Sequence, residues 1–148
     1  LHLVLAGSKK NAYAKIMETI NNLDLRDKVH VLGYIPDRDM STFYRRARAL
    51  VMPTFFGPTN IPPLEAMAVG CPMALSNIYA MPEQVGDAAL LFDPASVPAI
   101  ADAMVRLATD DALCAHLSAA GKKRTNEWGQ PQFSARLRQI IQSTLSLE

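Results

Sequence analysis

The chain has 148 residues, 49% hydrophobic and 20% charged, enough apolar surface for one folded core and no compositional mark of disorder. Fifteen basic against fourteen acidic residues leave a formal charge of +1, which excludes a strongly electrostatic nucleic-acid binder, and no apolar run is long enough to span a membrane. Cys71 and Cys114 form no C-x-x-C pair and the three histidines are scattered, so no structural metal site and a reducing compartment are expected.

Residues 1–6 form a short apolar run closed by Gly7-Ser8, the pattern of a strand buried on both faces. No basic leader precedes it, so no transit or secretory peptide is expected, and the chain is expected to start inside a fold. Tyr13, Ile16, Ile20 and Leu23 then recur at helical spacing. A second strand over 28–34 is stopped by Pro36, whose ring fixes φ and removes a donor. Asp37 can cap a helix lined by Met40, Phe43, Tyr44 and Ala47, and 49–52 is a third buried strand. A loop over 53–61 leads into a short helix from Pro62 to about Val69, with Gly70 as its stop. A fourth strand over 72–76, a helical turn over 81–85 and a fifth strand over 89–92 follow. The tail carries three amphipathic helices, marked by Val97 to Ala108, by 111–128 and by Phe133 to Leu145.

Strands alternating with helices over short connections imply parallel pairing, because a parallel pair needs a crossover and crossovers carry helices. The expected fold class is therefore α/β: a Rossmann-like, doubly wound, mainly parallel sheet with a helical C-terminal tail, in a single domain over 1–148. Ligands of such sheets bind outside the carboxyl ends of the strands, which directs attention to the loops at Gly7, Gly33, Pro53 and Asn77.

The loop 53–61 feeds a helix whose free amides and positive dipole end favour phosphate. Pro62 and Pro63 suit the first helical turn yet remove two donors. The remaining candidate donors are the amides of Thr59, Asn60, Ile61 and Leu64, with the Thr59 hydroxyl and the Asn60 side-chain amide. Glu65 is placed in the first turn, where an exposed acid gains roughly 0.3–1 kcal/mol from the dipole. It is either such a helix-start acid or an acceptor for vicinal ribose hydroxyls, as acids are in dinucleotide folds.

Pro62-Pro63-Leu64-Glu65-Ala66-Met67-Ala68-Val69-Gly70-Cys71-Pro72, Pro82-Glu83 and Gly86-Asp87-Ala88-Ala89-Leu90-Leu91-Phe92-Asp93-Pro94 resemble the donor-binding half of retaining glycosyltransferases of family 4. The resemblance extends to Leu5-Ala6-Gly7-Ser8 and Val31-Leu32-Gly33-Tyr34-Ile35-Pro36, in the family's order. It implies one half of a GT-B fold, with the first strand and helix and the N-terminal acceptor domain lying outside this chain. It also implies transfer of a sugar from a nucleotide sugar to a hydroxyl acceptor with retention, no metal and no further cofactor. By the resemblance, Glu65 is the second acid of the Glu-x7-Glu motif and holds the ribose. Gly57 stands where the first acid would be, so no catalytic residue is assigned and sugar contacts pass to Thr59 and Asn60. Gly33, Tyr34 and Ile35 match the base-binding edge, and Gly7 and Ser8 the close approach to the donor. Tyr34 reads alternatively as an aromatic half-buried against Pro36.

The implied partners are a nucleotide sugar and a glycan or lipid-linked acceptor, in surface polysaccharide assembly in the cytoplasm or at the inner face of the membrane. No nucleic acid is expected. Lys9 and Lys10 read as a solvated helix start, Asp110-Asp111 as a helix cap and Glu83 as a helix-start acid or, by the resemblance, as a residue near the donor pocket. Lys122, Lys123 and Arg124 read as a solvated face, or as a contact for anionic headgroups. Trp128 reads as packing, and the stripe from Phe133 to Leu145 as core or, if exposed, as a homodimer surface. The competing functions are a nucleotide-sugar epimerase of the same architecture and a non-catalytic paralogue acting as a binding module, for which Gly57 speaks. A receiver domain lacks its clustered strand-end acids here.

Overall fold

A computed structural model describes residues 1–127 and 129–145; Trp128, read as packing, lies outside them. The strands are β1 (Leu3–Ala6), β2 (Val29–Gly33), β3 (Leu50–Met52), β4 (Met73–Ser76) and β5 (Leu90–Phe92). The helices are α1 (Tyr13–Asn22), α2 (Asp37–Arg46), α3 (Ile61–Val69), α4 (Met81–Val85), α5 (Val97–Thr109), α6 (Asp111–Glu127) and α7 (Gln130–Leu145). Every strand pairing is parallel and strands alternate with helices through β5, so the α/β class expected from the sequence is the one found. The chain divides into two compact units, Leu1–Phe43 and Tyr44–Glu148.

In the first unit, β1 pairs with β2 from Leu3↔Val29 to Ala6↔Gly33, and α1 supplies the crossover. β1 was expected to be buried on both faces. Instead Leu3 and Val4 are 38% and 44% exposed, and of β1 only Leu5 is half-buried, since one helix over a two-stranded sheet does not cover both faces. Burial along α1 is thinner than the expected stripe: Ile20 is buried and Tyr13 and Met17 are half-buried, whereas Ile16 and Leu23 are 41% and 61% exposed.

In the second unit the strand order is β3-β4-β5, with Val51↔Ala74 and Ala74↔Leu90 in register. All four residues of central β4 are buried, as a parallel strand covered on both faces requires. Its one polar member, Ser76, donates its hydroxyl to the Met52 carbonyl at 3.3 Å, so no bare polar group is buried there. Ala74, Phe92, Ala103, Leu107, Cys114 and Leu117 form a core between the sheet, α5 and α6.

Helices α3 and α6 meet at Gly121, where an added Cβ would lie 3.2 Å from Cγ and 3.3 Å from Cα of the buried Met67. That close approach fixes the helix from which the candidate site is built. The tail differs from the core reading: α7 has no buried residue, and Phe133, Leu137, Ile140, Ile141 and Leu145 are exposed. Amphipathic spacing shows that a stripe exists, not that the chain supplies a surface to cover it.

Candidate functional site

Helix α3 starts at Ile61, with Asn60 in extended conformation as N-cap and Pro62 and Pro63 following. Gly70 ends the helix in the left-handed region, φ 76°, as expected from the sequence. The four N–H groups of a helix start that lack an intrahelical partner belong here to Asn60, Ile61, Pro62 and Pro63. The prolines have none. The Asn60 N–H donates to Oε1 of Gln84 at 3.1 Å, while Nε2 of Gln84 donates to the Asn60 carbonyl at 2.6 Å. Leu64 is far enough into the helix for its N–H to have an intrahelical acceptor. Of the donors expected from the sequence, Ile61 therefore keeps the one orphan amide of this terminus, and Thr59 its exposed hydroxyl.

The Asn60 side chain is turned back into its own loop. Nδ2 donates to the Gly57 carbonyl at 3.3 Å and lies 3.4 Å from Sδ of Met81. Gly57 is buried with φ 123°, and a Cβ there would stand 2.6 Å from Oδ1 and 2.7 Å from Nδ2 of Asn60. Glycine at 57 is thus demanded twice, by a backbone conformation that side chains rarely adopt and by the carboxamide filling the space. Further back, the Thr54 hydroxyl donates to the Phe56 carbonyl at 2.6 Å and accepts the Phe56 N–H at 3.2 Å.

Sequence reasoning missed Gln84. Its signal was faint: an uncharged polar residue beside Glu83 on a short helix between Met81 and Val85, both fully buried. The helix carrying it is itself tied down. Arg124 donates through Nε to the Gln84 carbonyl at 2.7 Å and through Nη2 to the Glu83 carbonyl. Arg124 therefore leaves the solvated face assigned to it, while Lys122 and Lys123 stay exposed. Glu83 is in the first turn of α4, as read.

Glu65 is the fifth residue of α3, and no acid lies in that helix's first turn. This corrects the expected placement and removes most of the dipole argument for a mere helix-start acid, because the effect fades beyond the first turn. Its side chain is exposed, and Oε2 accepts the Tyr44 hydroxyl at 3.0 Å. Tyr44 is 6% exposed; burial first, and then the hydrogen bond to Glu65, push its ionisation well above the usual range. The phenol accordingly remains a donor. Leu64 and Ile61, beside Glu65, are 46% and 68% exposed.

In the first unit, Gly7 and Gly33 come together at the carboxyl ends of β1 and β2, where the Gly7 N–H donates to the Gly33 carbonyl at 2.8 Å. Both have positive φ. Ser8 is exposed, Ile35 is buried, and Tyr34 is 70% exposed rather than half-buried against Pro36. Lys9 places its Nζ 4.8 Å from the Tyr13 ring centroid. Asp110 accepts the Leu113 N–H at 2.8 Å, the cap expected of it, and Asp111 pairs with Arg48 at 2.6 Å. Among the described residues no helix is long and apolar enough to cross a membrane.

Residues 1–124 match the family described as glycosyl transferases group 1, and the chain belongs to that family. The O-antigen chain mannosyltransferase B of Escherichia coli is 42% identical over 83 residues, which cover 56% of this chain and 22% of that protein. The chain thus spans less than a quarter of the length of this relative. Sucrose-phosphate synthase from Thermosynechococcus elongatus superposes with a TM-score of 0.83 at 22% identity, over 99% of this chain and 39% of the other. Anabaena Alr3699/HepE, in complex with UDP-glucose, gives 0.77 at 19% identity, over 99% and 41%. These likenesses show the fold: an α/β unit of the kind found in GT-B glycosyltransferases.

Proposed function

We propose that the chain is the donor-binding part of a retaining glycosyltransferase of family 4 that moves a sugar from a nucleotide sugar to a hydroxyl acceptor. The relative named a mannosyltransferase of O-antigen chains supports mannose as that sugar and a bacterial surface polysaccharide as the product. The observation that carries the reading is the Glu65 carboxylate, exposed beside the N-terminus of α3 and held at one oxygen by a buried tyrosine. Its other oxygen is open to two adjacent hydroxyls, which is what a ribose offers.

Bond cleavage at the anomeric carbon leaves negative charge on the departing diphosphate. A preorganised N–H and the positive end of a helix stabilise such charge, and in α3 the Ile61 amide and the Thr59 hydroxyl are the donors suited to it. The reaction needs no metal on this reading. Acceptor and further diphosphate contacts come from the rest of the protein, so this chain alone binds donor weakly and turns none over. The chain acts in the cytoplasm or against the inner face of the membrane.

Gly57 was the argument for a non-catalytic module. The loop geometry supplies another reason for that glycine, so the transferase reading is preferred. Calorimetric titration with UDP, GDP and ADP tests it. Glu65→Ala is expected to weaken the preferred nucleotide by about 1.5–3 kcal/mol, the worth of hydrogen bonds to a charged group; equal affinity in both proteins would remove Glu65 from the site.

A further inference from the structure

We infer that Tyr44 is a positioning residue for nucleotide binding: its buried phenol fixes the Glu65 carboxylate in the one orientation that leaves an oxygen facing ribose hydroxyls. The inference rests on the reading of Glu65 given above and extends it to a residue that touches no ligand.

The Glu65 side chain is exposed and has three rotatable bonds, so its carboxylate would otherwise sample many directions in water. Tyr44 is the opposite case. Its ring is 6% exposed on α2, which leaves the hydroxyl little freedom to move. The 3.0 Å bond joins residues 21 apart in sequence and transfers that rigidity to the acid. Among the described residues the bond to Glu65 engages one carboxylate oxygen, Oε2, and a carboxylate has about four acceptor positions. Oε1 therefore keeps its capacity for a diol, in a direction set before the ligand arrives, and preorganisation of this kind lowers the cost of binding. Asp or Asn at 65 would be too short to reach both partners.

The test is the preference of the 148-residue chain for GDP and UDP over their 2′-deoxy analogues, measured by calorimetry. A diol-reading carboxylate gives the wild type a ribose preference of about tenfold or more. Tyr44→Phe keeps the ring and loses the hydroxyl. It is expected to reduce that preference by about three- to tenfold while leaving affinity for the 2′-deoxy nucleotides within twofold. In a Glu65→Ala background the same substitution is expected to change nothing. A wild type without ribose preference would overturn the reading of Glu65 itself, and the inference with it. A preference undiminished in Tyr44→Phe would overturn the inference alone. Equal loss of ribo and deoxy binding would mark Tyr44 as merely structural. If Tyr44→Phe fails to fold, Tyr44→Met carries the test, because it fills the buried space without a hydroxyl and leaves Glu65 unchanged. It should then reduce the preference, and full retention would overturn the inference.

Discussion

Substituting Gly57 separates a loop that has lost an acid from a loop built around a glycine. An alanine there must adopt φ near 123°, a conformation that costs an L-residue about 1–3 kcal/mol. Its Cβ would also stand 2.6 Å from Oδ1 of Asn60, so the carboxamide has to leave and forfeits its bond to the Gly57 carbonyl. That adds about 0.5–1.5 kcal/mol, for a total of about 1.5–4.5 kcal/mol. Urea unfolding followed by circular dichroism measures it. In an Asn60→Ala background the clash is already gone, and Gly57→Ala should cost only the backbone share, about 1–3 kcal/mol. Gly57→Glu should destabilise at least as much as Gly57→Ala and improve no activity, because any side chain at 57 needs the same strained φ and displaces the Asn60 carboxamide. A Gly57→Ala protein within about 0.5 kcal/mol of wild type, in the range of a neutral surface change, would refute this reasoning.

Three further outcomes are expected. Gly121→Val places atoms against the Cα of Met67 and should destabilise the chain by about 1–3 kcal/mol through overpacking of α3 on α6; unchanged urea midpoints would show that the helices yield freely. Arg124→Ala should cost about 1–2 kcal/mol by freeing the Gln84 and Glu83 carbonyls, whereas Lys122→Ala and Lys123→Ala should stay within about 0.5 kcal/mol; three equal effects would return Arg124 to a solvated face. Burial pushes the Cys71 thiol from 9.0 up to about 11. Stability from this group is thus fully present below pH 9.0 and is lost as pH rises towards about 11, where the unfolded chain releases the proton first. Melting temperatures across that range should fall, and less steeply in Cys71→Ala; identical slopes would exclude the thiol.

The elements could be read from the sequence because their signals are local. Apolar runs closed by Gly7, Pro36 and Asp93 mark strands, and Gly70 closes α3 in the left-handed conformation its chemistry allows. Burial of β1 could not be read, because it depends on what neighbours the sheet and not on the strand's own residues. The candidate site divides along the same line. Glu65, Thr59 and Ile61 were accessible from helix-start chemistry, even though Glu65 lies one residue deeper than expected. Tyr44 looked like one more apolar residue on a helix face, and its use of the hydroxyl depends on a partner 21 positions away. Gln84 and Asn60 are separated by 24, and nothing local to either announces that a side-chain amide will close on a backbone N–H and C=O. Asn60 was read as a ligand donor although its side chain has an acceptor within its own loop, the Gly57 carbonyl, because that bond depends on how the loop folds back and its other partners, Gln84 and Met81, are distant in sequence.

The most direct test of the central claim is nuclear magnetic resonance of the isotope-labelled chain titrated with the nucleoside diphosphate that calorimetry selects. The expected result is amide shifts concentrated at Thr59, Ile61, Leu64 and Glu65, with none along α5 or α7. Shifts confined to helices away from the strands' carboxyl ends, with residues 57–65 unmoved, would contradict it.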